Sequence, residues 1–207
     1  MKLQPISRLC APLAALGFAL ALCSTAQALP ATATREAPPL PSDSVYQLAT
    51  PLVDQEGRHF RLDERRGRPM LVSMFYTSCQ FVCPMLIDAL QDTERQLSPG
   101  EREHLGVLMV SFDPARDSVA VLKHTADERG VDGARWSLAR ADAPAVRKLA
   151  GVLGIQYRAI GSGDFNHTTV LVLLDAQGRI VARTSRLGNA DPAFVKQVRA
   201  VLRAPSL

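Results

Sequence analysis

Met70-Leu71-Val72-Ser73-Met74-Phe75-Tyr76, running straight into Thr77-Ser78-Cys79-Gln80-Phe81-Val82-Cys83-Pro84, is the stretch on which the fold turns. Its first part is a short apolar run, long enough for a buried strand and too short for a helix. Beyond it the period changes. Val82, Leu86, Leu90 and Leu97 recur at spacings near four, which predicts an amphipathic helix ended by Ser98-Pro99-Gly100. Pro84 suits a first helical position, so Cys83 is expected near the N-cap and Cys79 in the turn before it. A buried strand thus gives way to a helix through a turn that carries two cysteines.

The same alternation continues outward. His104 to Phe112 reads as a second buried strand. Asp117-Ser118 can cap a helix running through Arg129, with Val119, Leu122 and Ala126 inward and Gly130 as its stop. Val146, Leu149, Ala150 and Leu153 predict a third helix ending near Gly154. His167 to Leu174 and Arg179 to Thr184 flank Asp175-Ala176-Gln177-Gly178 as a hairpin, and Asp191-Pro192 opens a final helix. Strands alternating with helices imply parallel pairing through crossover helices, and the closing hairpin adds an antiparallel edge. The expected fold is α/β, a mixed central sheet with flanking helices, over residues 45–207. No internal repeat is visible.

The chain before this domain reads differently. Lys2 and Arg8 precede the uncharged apolar run Leu9 to Leu22, and Ala26-Gln27-Ala28 supplies a small-residue cleavage pattern, so residues 1–28 read as an export signal. The alternative is an uncleaved anchor, since no charge follows until Arg35, although the apolar run is shorter than the roughly 20 residues of a spanning helix. A lipoprotein reading through Cys23 is weaker, because bulky Leu22 precedes it. Residues 29–44, with Pro38, Pro39 and Pro41 clustered, read as a Pro-rich linker or loose arm.

The full chain has 24 basic and 20 acidic residues, a formal charge of +4, and a pI near 9.1. Loss of Lys2 and Arg8 with the signal leaves 22 basic residues against the same 20 acidic ones, a charge of +2. That is no nucleic-acid footprint. Cys10 and Cys23 leave with the signal too, so only Cys79 and Cys83 of the four cysteines remain.

Three readings of that pair stand side by side. One is a structural disulfide, common in exported proteins, although so short a loop restrains little of the unfolded chain. Another is a redox dithiol: free N–H groups at a helix start favour thiolate, the form that attacks disulfides. The third is a metal site, because two thiolates are soft ligands suited to Cu(I) or zinc. Further ligands would have to be histidine or carboxylate. His59, His104 and His124 fall at positions expected to be solvated. His167 follows the flexible Gly161-Ser162-Gly163-Asp164 loop and opens an apolar strand. Spacing alone does not choose among them. Met70, Met74, Met85 and Met109 are expected to pack in the core.

FYTSCQFVCPML, SFDPARDSVAVLKHTA and DFNHTTVLVLLDAQGRIV together resemble the three sequence blocks of the Sco/SenC proteins, which serve in cytochrome c oxidase assembly. Their order and spacing match from about Val45 to the C-terminus. The resemblance implies a thioredoxin-like fold and a copper site made by Cys79, Cys83 and His167, and it is the resemblance that selects His167. It also places Asp113 at an acidic family position beside the site. Many members carry Asp immediately before the histidine; here Asn166 stands there and removes a charge.

The function this implies is a copper-binding metallochaperone and thiol-redox factor for the copper centre of cytochrome c oxidase, carrying Cu(I), Cu(II) or both in the periplasm, with anchoring to the inner membrane as the variant case. The implied partners are the oxidase's copper-site subunit and a thiol reductant, with another copper chaperone as a further candidate. No nucleic acid is expected, and membrane contact only through an N-terminal anchor. The alternative is an enzyme, a thiol-disulfide oxidoreductase using Cys79 and Cys83 as a redox dithiol without stable metal. Against a plain thioredoxin stand the C-x-x-x-C spacing and the lack of a proline near His167. Against a peroxiredoxin stands Thr77, only two residues before Cys79 where three are usual.

Overall fold

The apolar run Met70–Phe75 forms β3, whose six residues are all buried. It lies at the heart of the computed structural model, which describes residues 39–161 and 163–204. Around it are β1 (Pro51–Asp54), β2 (His59–Arg61), β4 (Gly106–Ser111), β5 (Trp136–Arg140), β8 (Leu171–Leu174) and β9 (Ile180–Thr184), in a seven-stranded sheet of order β2-β1-β5-β4-β3-β8-β9. β4 is parallel to both β3 and β5, whereas β8 runs antiparallel to β3 and to β9. The helices are α1 (Val82–Arg95), a short α2 (Pro99–Glu103), α3 (Val119–Glu128), α4 (Ala143–Leu153) and α5 (Pro192–Arg203). A separate two-stranded ribbon pairs β6 (Tyr157–Ala159) with β7 (Phe165–His167). The mixed α/β architecture therefore stands as expected, with an antiparallel edge at each end.

Several elements depart from the sequence reading. Ser98-Pro99-Gly100 does not merely stop a helix. Ser98 caps α2 by accepting from the Glu101 N–H, while the Glu101 carboxylate accepts from the Ser98 N–H, a reciprocal capping box. His104 then ends that helix, and the second strand starts only at Gly106. The strand expected from His167 to Leu174 is two pieces, β7 and β8, broken at Thr168–Val170. β5 was not expected at all: Trp-Ser-Leu-Ala-Arg is short and mixed in character, yet four of its five residues are buried because β4 covers one edge and β1 the other. The alternating Gly57-Arg58-His59-Phe60-Arg61-Leu62 segment does mark β2 as an exposed strand, but β1 and its pairing with β2 were not expected.

The described part of the arm expected over 29–44 is not loose. Leu40 packs on the core, and buried Ser44 donates its hydroxyl to the Gln177 carbonyl at 2.6 Å. Proline-rich composition hid this, because the anchoring contacts come from the distant β8–β9 turn. The signal segment 1–28 lies outside the described residues. Among the described residues no helix is long and apolar enough to cross a membrane.

Candidate metal centre

β3 ends at Phe75, and the chain turns through Tyr76 to Phe81 before α1 begins at Val82, two residues earlier than Pro84 would place it. Phe81 offers the helix no side-chain cap. The first-turn N–H groups of a helix need other partners, and here the Cys79 sulfur supplies one, accepting from the Cys83 N–H at 3.4 Å.

This arrangement makes the two thiols unequal. Burial pushes the Cys79 pKa up, but the N–H groups of Cys83, Phe81 and Val82, with the Cys83 thiol, outweigh it and leave it below the ordinary value. Cys83 is buried, and that burial pushes its thiol well above the ordinary range, with Cys79 and the Asp117 carboxylate adding in the same direction. Cys79 is therefore the more nucleophilic sulfur and the more accessible one.

His167 reaches the cysteines from the other side, at the end of β7. Its ring meets the Tyr76 ring edge-on at 5.9 Å between centroids and the Phe112 ring at 5.0 Å. Phe165 and Tyr157 complete this aromatic nest, with Phe165 on both Tyr76 and Phe112, and Tyr157 stacked on Phe112 at 5.2 Å. Nδ1 lies 3.3 Å from the Thr168 carbonyl and 3.4 Å from the Thr169 hydroxyl. A ring nitrogen occupied in this way leaves the other for a metal. The two sulfurs and a His167 ring nitrogen all lie within 4.8 Å of one another, and among the described residues this is the one such group of three or more potential ligands.

The donor set fits a soft metal. Bonds of about 2.0–2.3 Å, the range known for thiolate and imidazole donors, let one ion reach all three after small side-chain rotations. Two thiolates and one imidazole match Cu(I), and the nitrogen also suits Cu(II). The same two sulfurs, both free thiols here and within 4.8 Å of each other, are the pair that a disulfide would join.

A polar brace underlies the cysteine turn. Asp117 is buried and accepts from the Thr77 N–H at 3.1 Å, the Thr77 hydroxyl at 2.5 Å and the Ser111 hydroxyl at 2.5 Å. The sequence reading had Asp117 share the cap of α3, but Ser118 alone caps it, accepting from the Val121 N–H. Tyr76 was likewise not singled out. Burial raises its hydroxyl to about 12, and Cys79 beside it adds to the rise. The recurrence of Asp twice in Asp113-Pro-Ala-Arg-Asp117, just past a buried strand, was the available signal. Asp113 itself is buried and ion-paired with Arg116, its N–H held by the Ser111 hydroxyl at 2.9 Å. Asn166 is exposed on β7, opposite Arg158 on β6. His59, His104 and His124 are exposed and stand outside the cluster.

Comparison with known proteins gives this geometry a lineage. A SCO2-like protein of Rickettsia felis is 33% identical over 72 residues, 35% of this chain and 35% of that protein, so the match spans about a third of the relative's length. Among solved structures, Bradyrhizobium japonicum ScoI with copper bound superposes with a TM-score of 0.62 at 21% identity, covering 73% of this chain and 96% of that one. BsSco, described as a member of the Sco family of cytochrome c oxidase assembly proteins with a disulfide switch, gives 0.64 at 16% identity over 75% of this chain and 92% of that one. These likenesses establish the thioredoxin-like fold. The SCO1/SenC profile matches residues 44–203, from the buried Ser44 to the last residue of α5, and with that span covered the chain belongs to the SCO1/SenC family.

Proposed function

We propose that this protein binds copper through Cys79, Cys83 and His167 and serves the assembly of the copper centre of cytochrome c oxidase, either by handing over the ion or by preparing the acceptor's thiols. The observation that carries the reading is the convergence of two sulfurs and an imidazole nitrogen within 4.8 Å. Copper is cargo in this scheme. Three ligands leave the ion open to an incoming acceptor, and half-exposed Cys79 and His167 form the side from which that acceptor can approach. The copper-bound state of the Bradyrhizobium japonicum relative supports the choice of metal.

The export signal read over residues 1–28 supports action in the periplasm. There Cys79 and Cys83 tend to close as a disulfide, releasing two protons and two electrons to an oxidant. Reloading then needs a thiol reductant that returns two electrons. The disulfide switch described for BsSco supports such a cycle.

Titration of the reduced protein with Cu(I) against a competing chelator tests the reading. One tight equivalent is expected, lost in the Cys79→Ser/Cys83→Ser variant and weakened in His167→Ala. Binding no tighter than that of the double cysteine variant refutes it. The unequal thiols favour a second reading, a thiol-disulfide oxidoreductase. Rapid metal-free turnover on a disulfide substrate, untouched by His167→Ala, would select that one.

A further inference from the structure

The three ligands rest on foundations of different strength. Cys79 and Cys83 sit between β3 and α1, on a turn braced by Asp117. His167 sits on the ribbon of β6 and β7, which is not part of the seven-stranded sheet. The ribbon's bonds are largely its own: the Ile160 N–H donates to the Asp164 carbonyl at 2.9 Å, the Gly163 N–H to the Ile160 carbonyl at 3.0 Å, and the Thr168 N–H to the Gln156 carbonyl at 2.8 Å. Aromatic packing of Phe165 and Tyr157 attaches it to Tyr76 and Phe112, and the Phe165 N–H donates to the Tyr76 hydroxyl at the start of β7, but the packing itself is non-directional and leaves the ribbon's tip to other contacts.

Arg116 supplies directional contacts. It lies in the loop between β4 and α3. Its Nε donates to the Asp113 carboxylate and its Nη2 to the Gly163 carbonyl at the ribbon's tip. The same guanidinium lies 5.8 Å from the centroid of the Phe165 ring, two residues before His167. Asp113 is a firm base for this reach, being buried and bonded through its own N–H to Ser111. Gly163 is shaped for it. Its φ is +82°, and a Cβ there would come within 3.0 Å of an Arg116 nitrogen.

We infer that Arg116 is a positioning residue: paired with Asp113, it clasps the tip of the β6–β7 ribbon and so fixes where His167 meets Cys79 and Cys83. Arg116 is half exposed, so the clasp draws less on Coulomb attraction than on the forked geometry of the guanidinium, one branch to a carboxylate and another to a carbonyl. Its consequence for metal rests on the copper reading above. With the clasp released, the sulfur pair stays in place while the nitrogen wanders, so Cu(II), which depends more on nitrogen, suffers more than Cu(I).

The test begins without metal. Arg116→Met keeps the apolar stem and removes both bonds. In the reduced, metal-free protein, exchange of the Ile160 and Thr168 amides is expected to accelerate about tenfold or more, while β3 and β4 amides keep their rates. Arg116→Lys, which can pair with Asp113 but lacks the second branch, is expected not to restore them. Asp113→Ala removes the carboxylate that anchors the guanidinium, leaves the ribbon's own turn untouched and is expected to accelerate the same amides; it decides the matter should Arg116→Met unfold the domain. Unchanged ribbon exchange in these variants overturns the inference, because the ribbon's other contacts would then suffice to hold it. In the second arm, Cu(II) affinity of Arg116→Met is expected to fall about tenfold, the scale of one lost charge-assisted bond, with loss of the nitrogen signature in its electron paramagnetic resonance spectrum. A faster ribbon with Cu(II) affinity and spectrum intact also overturns the positioning role. A faster ribbon in a protein whose wild type binds no copper refutes the copper reading and leaves the clasp standing.

Discussion

Cys79 and Cys83 are the same chemical group four residues apart, and the fold shifts their acidities in opposite directions. Backbone N–H groups at the start of α1 lower the pKa of the Cys79 thiol, and burial raises that of Cys83. Iodoacetamide applied to the reduced, metal-free protein should therefore modify Cys79 first, with a rate that rises through a midpoint below the ordinary thiol value of 9.0; peptide mapping by mass spectrometry across pH reads this directly. Equal rates at both cysteines would contradict the asymmetry. The sign of the stability effect follows from Cys83, whose folded-state pKa is raised. Its stabilisation is complete below the unfolded thiol's pKa and is lost as pH rises beyond it, because the unfolded chain ionises first. The pairing of these cysteines was legible in the sequence, since spacing and a following proline suffice for that. Their inequality was not, because it depends on which sulfur the sheet covers.

The elements around the site explain what else stayed hidden. Asp117 stands beside Ser118 where a cap is expected, so local chemistry assigned it outward; only the fold shows it turned in, taking three hydrogen bonds from Thr77 and Ser111. Asp117→Ala strands those donors under the cysteine turn, and a loss of about 2–4 kcal/mol in denaturant unfolding is expected. Thr77→Val removes a single donor and should cost less, about 1 kcal/mol. The break between β7 and β8 was hidden for a related reason. Thr168 to Leu174 reads as one apolar strand by composition, but His167 belongs to a ribbon that answers to Phe112 and Tyr76 instead of to the sheet. The histidine was thus named by family resemblance, and its support by neither spacing nor period.

At the scale of the whole molecule, the sheet order puts the C-terminal ends of the parallel strands β3 and β4 under the site, and the opposite end is closed by the N-terminal segment. Ser44 binds the Gln177 carbonyl at 2.6 Å, and the Val45 N–H binds the Gly178 carbonyl at 2.9 Å. Tyr46 is buried against this turn, where a Cβ on Gly178 would come within 2.5 Å of its ring at a φ of +81°. Gly178→Ala should destabilise by about 2 kcal/mol or more, with the copper site unaffected in the folded fraction. A chain starting at Tyr46 should melt at a lower temperature than one starting at Pro39, because only the longer one keeps the Ser44 and Leu40 contacts. Alternation of strand and helix made the sheet's centre legible from sequence, since β3 and β4 are short continuous apolar runs and α1 carries a clear helical period. The β1 edge and the arm were not, since β1 is ordered by β5, with Val53 opposite Arg140, and Ser44 by Gln177, 133 residues on.

X-ray absorption at the copper edge, on the reduced protein loaded with one equivalent of Cu(I), reads the ligand set most directly. Two sulfur scatterers and one imidazole nitrogen are predicted for the wild type. His167→Ala should keep both sulfurs and lose the imidazole signal, and Cys79→Ser/Cys83→Ser should lose the sulfur shell. A first shell that keeps its sulfur in the double cysteine variant, or its imidazole in His167→Ala, would contradict the assignment of Cys79, Cys83 and His167 as the copper ligands.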